Sequence, residues 1–245
     1  MTDTSLRTLI TGGTRGIGAA IAHRLAADGH DVVLGYLSDE AAAVATRDEV
    51  RALGVSCEIV AADITTDAGI AALFEAAGPI TGVVNNAGAT YRYAPLVETP
   101  ADEIRKTYDV NLVGPTLVAR AAVSALTDNA DGGVIVNISS GAATLGSPGE
   151  YVHYAAAKAG IDALTKGLGL EVARLGIRVV AVAPGLTETD LHAATGDPGR
   201  IARMAPQIPI GRASSPAEVA EAVAWLMSDK AAYVTATTLR VAGGR

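Results

Sequence analysis

The sequence predicts an α/β fold, a doubly wound parallel sheet of about seven strands with helices on both faces. Three observations carry the prediction. Short aliphatic runs alternate with helical patterns from residue 6 to residue 241. The first run enters a glycine-rich turn that opens straight into a helix. A later run, Val134 to Ser139, is apolar without clean alternation, as expected of a strand covered on both sides.

Leu6 to Thr11 reads as the first strand. Gly12-Gly13-Thr14-Arg15-Gly16-Ile17-Gly18 follows, then a helix through Ala27. The glycines at 12, 13, 16 and 18 depart from the Gly-x-Gly-x-x-Gly spacing, but the physics is shared. Positions without side chains let the turn pass close to a pyrophosphate, and the helix N-terminus offers free amides to it. An ordinary glycine-rich turn is the plainer reading. Asp31 to Tyr36 is the second strand. Ser38-Asp39-Glu40 then supplies a cap and an acidic first turn for a helix reaching about Leu53. Val55 to Ala61 is the third strand, with Asp63 shortly after it. A helix from Thr66 to Ala77 stops at Gly78-Pro79. Thr81 to Val84, the fourth strand, runs into Asn85-Asn86-Ala87-Gly88.

A loop over 89–98 carries Tyr91, Arg92 and Tyr93. One long helix is expected from about Pro100 to Leu126, with Asn111 in its middle. A turn at Asp131-Gly132-Gly133 leads to the fifth strand, Val134 to Ser139. A second long helix spans Tyr151 to Leu175, and Ile177 to Ala183 is the sixth strand, closed by Pro184-Gly185. The polar stretch 187–206 reads as a substrate lid. Ser215 to Ser228 is a helix whose start approaches a capping box, and Thr237 to Val241 is the last strand. No linker or repeat divides the chain, so residues 1–245 are expected to form one domain.

Composition narrows the function. Hydrophobic residues make up 49% but aromatics only 4%, so the core is aliphatic; the mean hydropathy is +0.31. A net charge of −7 without a basic run argues against nucleic acid or an anionic membrane as partner. No signal-like segment or uninterrupted apolar run of membrane-spanning length is visible, so a cytoplasmic location is expected. Cys57, the lone cysteine, reads as a buried small hydrophobe. The four histidines show no metal-ligand spacing.

The chemistry centres on Tyr154 and Lys158. Four residues apart at the start of a helix, they stack on one face. A phenol with a pKa of about 10 is a poor acid–base group at neutral pH. A neighbouring ammonium favours the phenolate and is expected to pull that pKa down. Taken alone, Tyr-x-x-x-Lys is a loose motif, equally available to an accidental polar pair.

Several motifs together resemble the short-chain dehydrogenase/reductase family, in its compact single-domain branch, over essentially the whole chain. They are Thr11 to Gly18, Asp63, Asn85 to Gly88, Asn111, Ser139-Ser140, Tyr154 with Lys158, and Pro184-Gly185. The resemblance implies a Rossmann-type fold and an oxidoreductase passing hydride between a nicotinamide and a carbonyl or secondary alcohol. Tyr154 would be the acid–base residue, and Lys158 would bind the nicotinamide ribose. Asn111 would help hold a water in a proton relay. Ser140, rather than Ser139, is selected when Gly146 is aligned with the family's loop glycine. Gly12, Thr14, Arg15, Gly16, Ile17 and Gly18 would cradle the cofactor. Asp63 and Ile64 would contact its adenine, Asn86, Ala87 and Gly88 would line it, and Pro184, Gly185, Thr187 and Thr189 would border the nicotinamide. The pocket candidates are Thr90 to Tyr93, Ala142, Ala143, Glu150, Leu186, His192 and Met204. Tyr151 has alanine four residues on and is set aside, and His153 is expected to be packed or solvated. The Pro148-Gly149-Glu150-Tyr151 stretch resembles sequences often labelled glucose dehydrogenases. The family also implies a homo-oligomer, a tetramer or dimer.

NADP (as NADPH) is expected over NAD. The second strand ends Leu34-Gly35-Tyr36, so the carboxylate that accepts from a ribose 2′-hydroxyl is missing. Arg15 and Ser38 would meet a 2′-phosphate instead. A non-catalytic NADP-binding regulator and a 3-oxoacyl-carrier-protein reductase are the alternatives. Against the second, Thr127 to Gly133 holds two acids and no base where relatives dock an acidic carrier protein.

Overall fold

A computed structural model describes residues 6–129, 132–189 and 199–245. The strands are β1 (Arg7–Ile10), β2 (Asp31–Tyr36), β3 (Cys57–Ala61), β4 (Gly82–Asn85), β5 (Gly133–Ile138), β6 (Ile177–Pro184) and β7 (Thr237–Val241). They form one sheet in the order β3-β2-β1-β4-β5-β6-β7. Every pairing is parallel. The order changes direction between β1 and β4, and in such sheets ligands bind beyond the carboxyl ends of the strands at that point.

Successive strand residues point to opposite faces, and here both faces are covered. Ile10, Val32, Leu34, Val84 and Val136 meet Ile21 and Leu25 of α1 (Gly16–Ala27), Val50 of α2 (Glu40–Arg51), and Val219 and Val223 of α9 (Pro216–Met227). Leu9, Val33, Val83, Ile135 and Val179 meet Leu73 of α3 (Asp67–Ala77), Val118 and Leu126 of α5 (Gly114–Thr127), and Val172 of α7 (Val152–Val172). Two buried layers explain why the strands read as unbroken apolar runs. Each fully buried Leu or Ile stabilises the fold by roughly 1.5–3 kcal/mol. Cys57 is buried among them, which pushes its thiol up to about 11, so it behaves as a small apolar group.

Side-chain caps account for three helix starts. Asp39 accepts from the Ala42 amide at 3.1 Å, so it is the N-cap of α2 rather than part of its first turn. Thr66 caps α3, and Ser215 with Glu218 forms a complete capping box on α9. The expected long helix over 100–126 is interrupted. α4 (Ala101–Tyr108) passes into a π-helical turn, Asp109–Val113, before α5 begins. Pro115 supplies the reason. In an α register its ring would crowd the Asn111 carbonyl four residues back and its nitrogen has no hydrogen to give it; a wider turn relieves the clash. The stretch Ala101–Thr127 is long and apolar enough to cross a membrane by length and composition. Its Val118, Ala119, Ala122 and Leu126 are fully buried, as in a core helix.

Short elements not placed from the sequence include a 3-10 turn at Leu96–Glu98 and α6 (Ala142–Leu145), and the expected lid holds a short helix, α8 (Arg200–Met204). His192, Asp131 and residues 190–198 of that lid lie outside the described residues.

Candidate active site

A cleft of about 810 Å³ runs along the carboxyl ends of the strands. Its first end is made by backbone. The β1–α1 turn needs Gly18, because a Cβ there would sit 2.0 Å from the Gly12 carbonyl oxygen and 2.6 Å from Asn86 Nδ2. Asn86 ties this turn to the end of β4 by donating to the carbonyls of Thr11 and Gly12 at 3.0 and 2.9 Å. Unlike α2, α3 and α9, helix α1 has no side-chain cap and no acid in its first turn. Its amides are therefore left to a ligand, and they open on the cleft beside Thr14, Gly16 and Ile17. Tyr36, Ser38, Asp63, Ile64, Ala87 and Gly88 line the same end. These features fit a dinucleotide with its pyrophosphate at the helix terminus. Arg15 also lines the cleft; it is exposed and pairs with Asp39 at 3.3 Å.

The other end is made by side chains. Ser140, Tyr154 and Lys158 meet there, with Pro184, Gly185, Thr187 and Thr189 alongside. Ser140 lies beside Tyr154, where its hydroxyl favours the phenolate form, and it accepts from the Ala142 amide at 3.1 Å. Ser139 is buried, and its hydroxyl donates to the Lys158 carbonyl at 3.3 Å. The two serines thus have different surroundings, Ser140 lining the cleft beside the tyrosine and Ser139 holding the helix. The Lys158 ammonium donates to the Ile138 carbonyl at 2.8 Å and lies 5.8 Å from the Tyr154 ring centre. A Cβ on Gly88 would fall 3.5 Å from that ammonium and 2.7 Å from Asn111 Oδ1, so glycine keeps this corner open.

Two expectations need correction. Lys158 does not depress the Tyr154 pKa here. Burial dominates both groups, raising Tyr154 well above the usual phenol range and lowering Lys158 to about 8. The pair's spacing was legible, but the desolvation around it was not. Asn111 does not line the cleft. Its side chain is buried and committed: Nδ2 donates to the carbonyls of Ala89 and Thr107 at 2.7 and 2.9 Å, and Oδ1 accepts from the Ala89 amide at 3.2 Å. It straps the loop after β4 from behind the wall.

Among the pocket candidates, Thr90, Tyr91, Tyr93, Ala142, Glu150, Leu186 and Met204 line the cleft, while Arg92 pairs with Glu103 at 3.4 Å and neither it nor Ala143 does. His153 is packed, and burial lowers its pKa. Tyr151, set aside on sequence, is part of the wall. Its ring lies 5.0 Å from that of Tyr93 and 5.2 Å, edge-on, from that of Tyr154. Arg200 was missed altogether. It is 5% exposed and donates to both carboxylate oxygens of Glu150, at 2.6 and 2.8 Å, and to the Tyr151 hydroxyl at 3.2 Å. Its guanidinium stacks 4.6 Å from the Tyr93 ring centre. Burial is the largest influence and opposes its charge, but the Glu150 hydrogen bonds together with the electrostatic pull of Tyr151, Tyr93 and Glu150 outweigh it and hold it firmly cationic. No periodicity or spacing links residues 50 positions apart.

Comparison with known proteins agrees with this geometry. A family model described as enoyl-(acyl carrier protein) reductase matches residues 12–245. The uncharacterized oxidoreductase YgfF of Escherichia coli is 43% identical over 97% of this chain and 98% of its own. The 3beta-hydroxysteroid dehydrogenase 1 of Eggerthella lenta is 41% identical over 96% and 92%. The 3-oxoacyl-[acyl-carrier-protein] reductase FabG of Vibrio cholerae is 39% identical over 96% and 95%. Among solved structures, 3-ketoacyl-(acyl-carrier-protein) reductase from Brucella melitensis, complexed with NADH, superimposes with a TM-score of 0.91 at 32% identity over 98% of each chain. With the seven-stranded parallel sheet, the glycine turn and the serine–tyrosine–lysine cluster all in place, the chain belongs to the short-chain dehydrogenase/reductase family.

Proposed function

We propose that this protein is an NADP-preferring oxidoreductase that interconverts a small carbonyl compound and its secondary alcohol, with Tyr154 as the acid–base residue. One observation carries the reading: Ser140, Tyr154 and Lys158 converge at the end of a cleft whose other end is the uncapped α1 terminus. A bound nicotinamide dinucleotide supplies hydride chemistry; the residues supply orientation and the proton. Tyr154, held protonated by burial, is set to give its proton to a carbonyl oxygen as that oxygen gains charge. Ser140 shares that oxygen as a hydrogen-bond partner. Lys158 keeps a positive charge near the phenolate left behind and fixes the ribose side. Asn111 holds the Ala89 backbone that borders the site and would help hold a water of a proton relay.

The NADP preference rests on Tyr36 standing where a ribose-binding carboxylate would, and on Arg15. Asp39 is engaged on both sides, by the Ala42 amide and by Arg15, rather than presented to a ribose. The Arg15–Asp39 pair is exposed and worth little, so a doubly charged phosphate can recruit Arg15 from it. A location in the cytoplasm and a homo-oligomeric assembly, dimer or tetramer, complete the proposal, with neither nucleic acid nor membrane as partner.

A second reading, reduction of 3-oxoacyl groups on a carrier protein, is favoured by the relatives and the structural neighbour of that name. Asp128 at the end of α5 would oppose an acidic carrier there. The deciding experiment follows NADPH absorbance with ketones, aldoses and 3-oxoacyl thioesters, free and carrier-bound. Tyr154→Phe should keep cofactor binding and lose roughly 10²–10⁴-fold in turnover. Ser140→Ala should lose far more than Ser139→Ala. Near-wild-type turnover in a folded Phe variant refutes the role of Tyr154.

A further inference from the structure

We propose that Glu150 and Arg200 form a charge-cancelling filter that makes the substrate end of the cleft select uncharged carbonyl compounds over anionic ones. The proposal rests on the reductase reading and names its substrate class. Arg200 is a nearly buried cation in the wall of the cleft, beside the Tyr93–Tyr151–Tyr154 aromatic cluster. A lone guanidinium there would attract a substrate carboxylate or sulfonate strongly, since a low-dielectric wall screens little. Glu150 removes that attraction. It takes both terminal nitrogens of Arg200 in two charge-assisted bonds of 2.6 and 2.8 Å, the geometry that a substrate carboxylate would otherwise occupy. Tyr151 takes a further donor of the guanidinium. The Nε donor has no partner and is itself buried, so it offers a substrate nothing. Among the described residues, the wall beside the pair is largely aromatic and apolar, with Tyr93, Tyr151, Ala142, Leu186 and Met204.

Arg240 and Arg245 also line the cleft, and both are exposed. Arg240 is held by the Thr144 hydroxyl. Charges in water act through a high dielectric and are screened over about 8 Å at physiological salt, whereas a buried charge is screened much less, so the discrimination is set at the buried pair. Because Arg200 opens α8, the same pair also anchors the segment that carries Met204 into the wall. A purely structural role would loosen the site for every substrate alike. The filter predicts opposite shifts when opposite members are removed, and that separates the two.

The test uses 4-acetylbenzoate and its methyl ester, ketones whose reduction gives secondary alcohols and which share a skeleton but differ by one charge. Turnover with NADPH is measured for both. Binding of both to the protein saturated with NADP⁺ is measured by calorimetry. Wild type should favour the ester by about tenfold or more in kcat/KM and in affinity. Glu150→Gln, which exposes the Arg200 charge, should bring the ratio to one or invert it. Arg200→Met, which leaves the carboxylate, should keep or widen the ester preference. The double variant, with neither charge, should fall between the two single variants. An unchanged ratio in Glu150→Gln, a wild-type preference for the acid, or shifts in the same direction for both single variants overturns the filter. If neither compound turns over but the binding ratios shift as stated, the filter stands and the reductase reading falls. If Glu150→Gln does not fold, the Arg200→Met and double variants carry the same test, because the double variant must lower the ester preference relative to Arg200→Met.

Discussion

The cofactor end of the cleft is shaped by backbone, and the substrate end by side chains. At the first, Gly18 passes the Gly12 carbonyl with no room for a methyl group, and an unpaired helix terminus faces the ligand. At the second, a stacked tyrosine pair and a buried ion pair form the wall. The two arginines show the contrast. Arg15 is 68% exposed at its side chain and sits 3.3 Å from Asp39, whereas the Arg200 side chain is 6% exposed and grips Glu150 with two nitrogens. Backbone geometry fixes what every member of the cofactor class shares. Side-chain pairs fix what distinguishes one substrate from another, and they can be exchanged without disturbing the sheet.

The largest effect should come from closing the backbone end. In Gly18→Ala the new methyl group meets a carbonyl and an amide that are both held in place, so the turn must shift. Overpacking of this kind costs about 1–3 kcal/mol. NADPH affinity should fall by roughly a hundredfold, read by fluorescence titration; unchanged affinity would show that the turn is softer than its contacts imply.

A smaller effect, of opposite sign for stability, is expected at Lys158. Its folded pKa is lowered from 10.5 to about 8 by burial. Below pH 8 the folded protein carries the full cost of burying that charge, and the cost disappears as pH rises from 8 to 10.5. The difference corresponds to roughly 3 kcal/mol. Lys158→Met removes it and forfeits the bond to the Ile138 carbonyl, worth about 1 kcal/mol. The variant should therefore lose turnover yet gain about 1–2 kcal/mol of stability at pH 7, with no gain by pH 10.5. Denaturant midpoints across that range check it, and a destabilised variant at pH 7 contradicts it.

The smallest effect is at Arg15. A hydrogen bond to a charged phosphate contributes about 1.5–3 kcal/mol, less ~0.2–1 kcal/mol for the Asp39 pair given up. Arg15→Ala should weaken NADPH by about two- to hundredfold and NADH hardly at all. Equal losses for both cofactors would remove the basis for an NADP preference.

The same division governed what could be read from the sequence. The alternating elements, the glycine turn, and the Tyr154–Lys158 spacing are local features, and the structure has each where the sequence puts it. Ser139 and Ser140 have different partners because neighbouring residues at a strand end point to different sides. The missed features depend on distant partners. Nothing near Arg200 announces Glu150 and Tyr93. The direction of the Tyr154 shift depends on burial by the whole fold. The π turn at Asn111 was legible in part, since Pro115 stands in the expected helix, but only against the carbonyl it would crowd.

The sheet order also has a consequence for how the chain folds. β1 lies at the middle of the sheet and needs β4 as its second neighbour, yet Arg7 and Thr81, which hydrogen-bond across that junction, are 74 positions apart. At a synthesis rate of roughly 5–20 residues per second, the nascent β1–β2 pair waits about 2–9 s for β4 to be made. During that wait one long edge of an aliphatic strand is uncovered, and parallel pairing over such separations is slow to close. Folding on the ribosome should therefore be the step most sensitive to chaperone supply, and faster translation of residues 37–81 should raise the yield of folded protein.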